Sequence, residues 1–232
     1  QNCIDRLFAH KIQREKEEAQ LKEVNELRLQ LRLAESRPLI GQLMDKVILD
    51  EAITASSGKL NTWSSRMDVQ HGWVPDRCSD QEWIQWDFGE VCLVLKVRLQ
   101  GSMGGGPRPF GWITQYVLSF SEDGESWQQH PAVLAGPTSI EAAADAALAP
   151  PIQARLLRLH PVQWANAIVV RAEAFGAKTS ELQYTQETLQ EALSDSRPPP
   201  PLSSSVEVLP APTEDCQEPL AALDDDLAQS LA

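Results

Sequence analysis

The features this chain lacks are the first guide to what it does. No apolar run approaches the roughly 20 residues of a membrane-spanning helix, and no Asn-x-Ser/Thr acceptor for a surface glycan occurs. Positive charge is scarce, with 20 Lys plus Arg against 33 Asp plus Glu and a formal net charge of −13. Such a field repels nucleic-acid phosphates and anionic headgroups unless a basic patch overrides it, and no such patch is visible, so nucleic acid is not an expected partner. Cysteine is limited to Cys3, Cys78, Cys92 and Cys216. None forms a C-x-x-C pair, and all four read as free thiols in a reducing compartment. No leader-type segment opens the chain, which starts at Gln1.

Motifs of catalysis are missing as well. There is no Gly-rich phosphate loop, zinc-type His pair or nucleophile elbow. Cys78, His71 and His160 do not have metal-ligand spacing. Asp80 and Glu82 lie in a turn-rich segment with no apolar pocket to raise a carboxyl pKa. A calcium site near Asp68 calls for more clustered carboxylates than the sequence supplies. The expectation is a non-enzyme without cofactor or metal.

What is present falls into four segments. Residues 1–37 carry 8 cations and 7 carboxylates with no glycine or proline, a composition that predicts a charged helix, and Pro38 ends it. Leu21, Val24, Leu27, Leu31 and Ala34 form a seam close to heptad spacing, the mark of a partner-binding coiled coil, with a single solvated helix as the alternative. Residues 42–177 hold all seven tryptophans and most turn signals. Short segments such as 83–88, 93–100, 112–121, 155–160 and 167–175 alternate with period two between Gly, Asp and Pro, which predicts an all-β sandwich or jelly roll. Residues 178–195 predict a short amphipathic helix carrying Leu182, Leu189 and Leu193, capped by Thr179 or Ser180 with Gln183. Residues 196–232 begin with a proline run and hold much of the acidity, which predicts a disordered tail; Leu220, Leu223, Leu227 and Leu231 beside three aspartates suit a motif that folds on a partner.

The central segment resembles a known family. The strings ITASS (53–57), TWSSR (62–66), GWVP (72–75), WIQWDFG (83–89), GWITQYVLSFSEDG (111–124) with Trp127, ARLLRLHP (154–161) with Trp164, and VRAEAFG (170–176) follow the order of the discoidin, or coagulation-factor type C, domain. Each string alone is weak, but their shared order and spacing are specific. In WIQWDFG, Ile84, Trp86 and Phe88 point together toward a core. The SEDG turn ends on Gly124, which can take positive φ. Arg158 is the candidate for a buried ion pair with Asp87.

The resemblance implies a galactose-binding-like jelly roll whose loops at one end bind protein, carbohydrate or lipid. On this chain they fall at 56–61 with Ser57, Lys59, Leu60 and Asn61, at 67–73 with Asp68 and His71, and at 102–110 with Met103, Arg108 and Phe110. Secreted relatives commonly close the domain with a disulfide between its ends. Here Leu49-Asp50 and Gly176-Ala177 stand there without cysteine. Ser102 replaces a basic residue often found in the third loop, and an Ala-rich stretch after Gly136 replaces a loop. These departures favour an intracellular member that binds proteins in a multi-subunit assembly, and the order of helix, sandwich and acidic tail suits a cytoskeletal, centriolar or ciliary scaffold. The alternatives are an extracellular carbohydrate- or lipid-binding lectin and a substrate-recruiting subunit of a multiprotein enzyme.

Overall fold

The computed structural model describes residues 2–103, 109–182 and 184–194, with side chains from His10 onward except that of Gln186. Its elements are α1 (Asn2–Ala34), β1 (Ile53–Ala55), β2 (Ile84–Gln100), β3 (Trp112–Ser121), β4 (Gln128–Gln129), β5 (Leu134–Ala135), β6 (Ala143–Ala165), β7 (Arg171–Lys178) and α2 (Gln186–Ser194). The strands run in the order β1-β2-β6-β3-β4, with β5 also on β3 and β7 on β2, all antiparallel. The two long strands β2 and β6 shift register between Asp87 and Cys92 and again between Val94 and Lys96. Bulges of this kind bend a strand and sharpen its twist. The bent pair carries β1 and β3 along one part of its length and β7 along the other, and Ile84, Trp86, Val94, Leu99, Ile113, Tyr116, Leu118, Ile152, Leu157 and Leu159 meet in one buried core. This is the expected all-β jelly-roll sandwich.

Three local expectations change. Segments 83–88 and 93–100 fall within one strand, because the bulge at 88–91 bends the chain without ending its pairing. The Ala-rich stretch is strand, with Ala143–Ala147 paired to Gln100–Lys96. Alanine's helical preference yields there to cross-strand pairing. The sandwich also begins before residue 42. Leu39 and Ile40 are buried in the core, and the Leu39 amide donates to the Ala174 carbonyl at 2.8 Å.

The helix seam is corrected in its partner. Val24, Leu27, Leu31 and Ala34 are buried, but against Leu93, Ala177, Leu182, Leu189 and Ala192 of the same chain. Alternation along β2 turns Leu93 away from the core and so gives the helices an apolar surface to cover. Only Leu21 of the seam is exposed. Arg28 donates to the carbonyls of Glu191 and Ala192, capping the C-terminal end of α2 where acceptors lack partners within the helix. That helix starts later than Thr179 or Ser180 would place it, and Thr185 is its cap, its hydroxyl accepting the Thr188 amide at 3.1 Å. Thr179 instead donates to the Val91 carbonyl at 2.8 Å, fastening a short turn to the sandwich. Gln183 and the tail, residues 196–232, lie outside the described residues.

The ends of the domain are closed by charge. Arg66 is completely buried; its guanidinium donates to the carbonyls of Ile40 (2.8 Å), Gly41 (3.0 Å) and Ile48 (2.8 Å) and to the Asp50 carboxylate (2.8 Å). Glu173 on β7 accepts the amides of Ile40 (2.7 Å) and Gly41 (3.0 Å), so the Ile40–Gly41 peptide is held by Arg66 at its carbonyl and by Glu173 at its amide. Burial pushes the Glu173 carboxyl above its ordinary pKa, and these backbone donors oppose that rise. The arginine and glutamate thus hold the segment before β1 against β7. Asp87 also has another partner than expected. Arg155 grips it at 3.0 and 2.7 Å, while Arg158 reaches Gln85 and lies 4.1 and 3.9 Å from the ring centres of Trp83 and Trp127. Regular alternation would turn residues three apart to opposite faces, but the irregularity beside Asp87 brings Ala154 and Leu157 both into the core and leaves both arginines outside it; the register places Arg158 opposite Gln85 and Asp87 opposite Leu156.

Candidate functional site

Four segments meet at one end of the sandwich, and residues 67–73 are the hub. From the first loop, the Ser57 carbonyl accepts the Trp73 indole at 3.2 Å, and from the turn Lys59–Ser65 that continues it the Ser64 hydroxyl donates to the Gly72 carbonyl at 2.7 Å. Gly58 has φ +61° there, and an added Cβ would sit 2.2 Å from the Val74 carbonyl, so only glycine permits this approach. From the third loop, the buried Ser102 donates to the Gln70 carbonyl. Arg171 bridges both, donating to the carbonyls of Gly101 (2.9 Å) and Val69 (3.4 Å). The fourth segment is the turn at 42–49, whose Leu43 amide donates to Asp68 at 3.0 Å. A loop end so cross-braced is pre-organised, which lowers the entropy cost of binding.

The predicted residues divide into two groups. Ser57 and Asp68 are braces. Ser57 donates to Glu82 at 2.6 Å and accepts the Asp76 amide at 3.0 Å. Both Asp68 carboxylate oxygens accept the Leu43 amide. Ser57 and Asp68 thus brace the loop end through these bonds, and Asp68 stays exposed. Lys59 is exposed, Leu60 is 91% exposed, Met103 is 69% exposed and Phe110 is half exposed. Asn61 is half-buried beside them, at a kink within the turn Lys59–Ser65. His71 is also half-buried, and its Nδ1 is buried without a hydrogen-bond partner among the described residues. Arg108 lies outside the described residues. Trp73 is fully buried, and Trp63 half-buried.

A cleft of roughly 500 Å³ opens beside the first loop, lined by residues 56–61 and Asp76. Among the described residues, no three His, Cys, Asp or Glu side chains gather as metal ligands, and no helix is long and apolar enough to cross a membrane. The arrangement presents shape, apolar tips and a few polar groups, which is the equipment of recognition. Sequence reasoning missed the turn at 42–49, where Met44, Val47 and Leu49 are exposed. The signal was the string LMDKVIL, apolar residues on both sides of Asp45-Lys46 without the alternation of a strand.

Comparison with known proteins places these features in a family. The F5/8 type C domain pattern matches residues 52–174. Neuropilin-1a of Danio rerio is 31% identical over 143 residues, 58% of this chain and 16% of that protein. Coagulation factor VIII of Sus scrofa is 31% identical over 154 residues, 60% of this chain and 7% of that protein. The chain therefore spans a sixth or less of the length of these relatives. Among solved structures, recombinant discoidin II of Dictyostelium discoideum aligns over 54% of each chain, with a TM-score of 0.48 and 18% identity.

Proposed function

Because the chain belongs to the F5/8 type C domain family, we propose that it is a binding module, non-enzymatic at the level of this domain, which grips a protein partner with the loop end of the sandwich. The observation that carries this reading is the set of exposed apolar side chains, Leu60, Met103 and Phe110, on loops braced by Ser102, Arg171 and Trp73. Large apolar groups held outward on a rigid frame are the usual core of a protein–protein contact. The test is recovery of cross-linked partners by the intact chain and by a Leu60→Ser/Phe110→Ser variant. Loss of the partners with an unchanged melting curve supports the assignment, and undiminished recovery eliminates it.

A second reading is carbohydrate binding in the cleft at 56–61, supported by the exposed Lys59 and the half-buried Asn61 beside Asp76. Sugar hydroxyls need several convergent polar groups, and Ser57 is already engaged by Glu82 and Asp76. A glycan array with the full chain separates the two readings. The intracellular placement draws support from Cys78 and Cys92, both free thiols, and from closure by Arg66 and Glu173. The relatives, a coagulation factor among them, lean toward the extracellular alternative. A role in a cytoskeletal, centriolar or ciliary scaffold, or as a recruiting subunit of an enzyme, rests on domain arrangement alone, and the seam of α1 lends it less once it is turned onto its own chain. Imaging of the tagged chain in its cell tests the placement.

A further inference from the structure

The turn at 42–49 is held with unusual firmness for a segment that contributes only Ile48 to the core. Buried Arg66 holds the carbonyls of Ile40, Gly41 and Ile48 at its base, and buried Glu173 the amides of Ile40 and Gly41 just before it. Asp68 takes the Leu43 amide, Gln42 donates to the Asp45 carbonyl at 3.0 Å, and Lys46 pairs with Asp50 at 2.7 Å. Gly41 has φ +81°, and a Cβ there would lie 2.4 Å from the Val47 amide nitrogen. On this fixed backbone Met44 is 94% exposed and Leu49 68%, with Val47 exposed between them. Buried charges cost free energy to desolvate, and here they fix a turn whose tip shows apolar side chains to water.

We propose that this turn is a fourth contact element of the binding end, and that what it docks on is a protein groove lined by apolar side chains and edged by lysine or arginine. The inference deepens the loop-end reading and rests on it. Continuity comes from Asp68, which joins the turn to the hub loop shared with the first and third loops. The basic edge follows from charge. Asp45, Asp50 and Glu51 flank the apolar tips in sequence and Asp68 is bonded to the turn at Leu43, against Lys46 and Arg66, and both of those cations pair with Asp50. Asp45 and Glu51 are exposed and in no ion pair among the described residues. The same carboxylates repel an anionic membrane surface, so the apolar tips fit a protein rather than a lipid.

The experiment uses the full chain and a fluorescent peptide of leucine and lysine arranged as a basic amphipathic helix, read by anisotropy. A Met44→Ser/Leu49→Ser variant should bind at least about tenfold more weakly with an unchanged melting curve, since both side chains are exposed. A Leu60→Ser/Met103→Ser variant should weaken binding as well. Weakening by the second variant alone overturns the inference and leaves the loop-end reading standing. Weakening by the first alone removes the loop-end reading, and with it the claim that the turn is one part of a shared surface. No effect of either, or no binding by the unaltered chain, overturns both. Equal binding of a peptide with glutamine in place of lysine overturns the basic edge.

Discussion

Replacing Arg66 by methionine, which is apolar and of similar length, tests whether charge rather than packing closes this domain. The guanidinium serves the carbonyls of Ile40, Gly41 and Ile48 and the Asp50 carboxylate at 2.8–3.0 Å from a site with no solvent exposure. Methionine fills most of the volume and serves none of them. Asp50 keeps Lys46 at 2.7 Å, but the carbonyls lose their donors inside the protein. Breaking a buried ionic group of this kind costs about 3–5 kcal/mol. In a domain of this size about 1 kcal/mol shifts Tm by roughly 2–4 °C, so a fall of about 6–20 °C is expected. Burial pushes the Asp50 carboxyl upward, and its bonds to Lys46 and Arg66 outweigh that and leave it below its ordinary value. The variant should therefore also raise the Asp50 pKa. Calorimetry, with hydrogen exchange at Ile40 and Gly41, reads both the stability and the place of opening. A loss under about 1 kcal/mol, or unchanged protection of those amides, would refute the idea that this arginine closes the domain.

Further expectations concern other parts of the molecule. The hydrogen bond from Arg155 holds Asp87 below its ordinary pKa against the effect of burial. A depressed folded-state pKa gives stability that is complete above the unfolded pKa and is lost as pH falls through the folded one. Arg155→Leu should therefore lower the urea midpoint at pH 6 more than at pH 2; an equal loss at both counts against the pair. The backbone amides of Ser126 and Glu125 and the Ser121 hydroxyl hold Asp123 at about 2, so nuclear magnetic resonance titration should find it still ionised at pH 3. With Cys3 and Cys216 changed to serine, one thiol, Cys78, should react in the native state. Cys92 is buried, with its pKa pushed up to about 11, and should react only on unfolding; two fast thiols would contradict this. Leu27→Ala should cost about 2–5 kcal/mol and Leu21→Ala under about 0.5 kcal/mol, both independent of protein concentration. A concentration-dependent Tm would restore the coiled-coil reading of the seam.

The outline of the fold was legible because it rests on local signals. Ile84, Trp86 and Phe88 point inward by strand alternation alone, and the Gly124 turn declares itself by composition. The helix seam was legible as a seam, since Val24, Leu27 and Leu31 share one face whatever covers it. Its cover was not legible, because an apolar stripe carries no label for self or partner. The site was half legible. Leu60, Met103 and Phe110 are exposed as loop position suggested. Ser57 and Asp68 have the same polarity as ligand contacts and turned out to brace the loops.

The sequence by itself determined that this chain forms a strand-rich domain of one family behind a charged helix, because side-chain period and turn chemistry act over a few residues. Only the tertiary structure decided which charges are internal. Arg66 meets Ile40 and Glu173 meets Gly41 across separations of 26 and 132 residues, and Arg155 rather than Arg158 takes Asp87. Pairing across such distances depends on the register of bent strands, and one residue of bulge changes which side chains face each other.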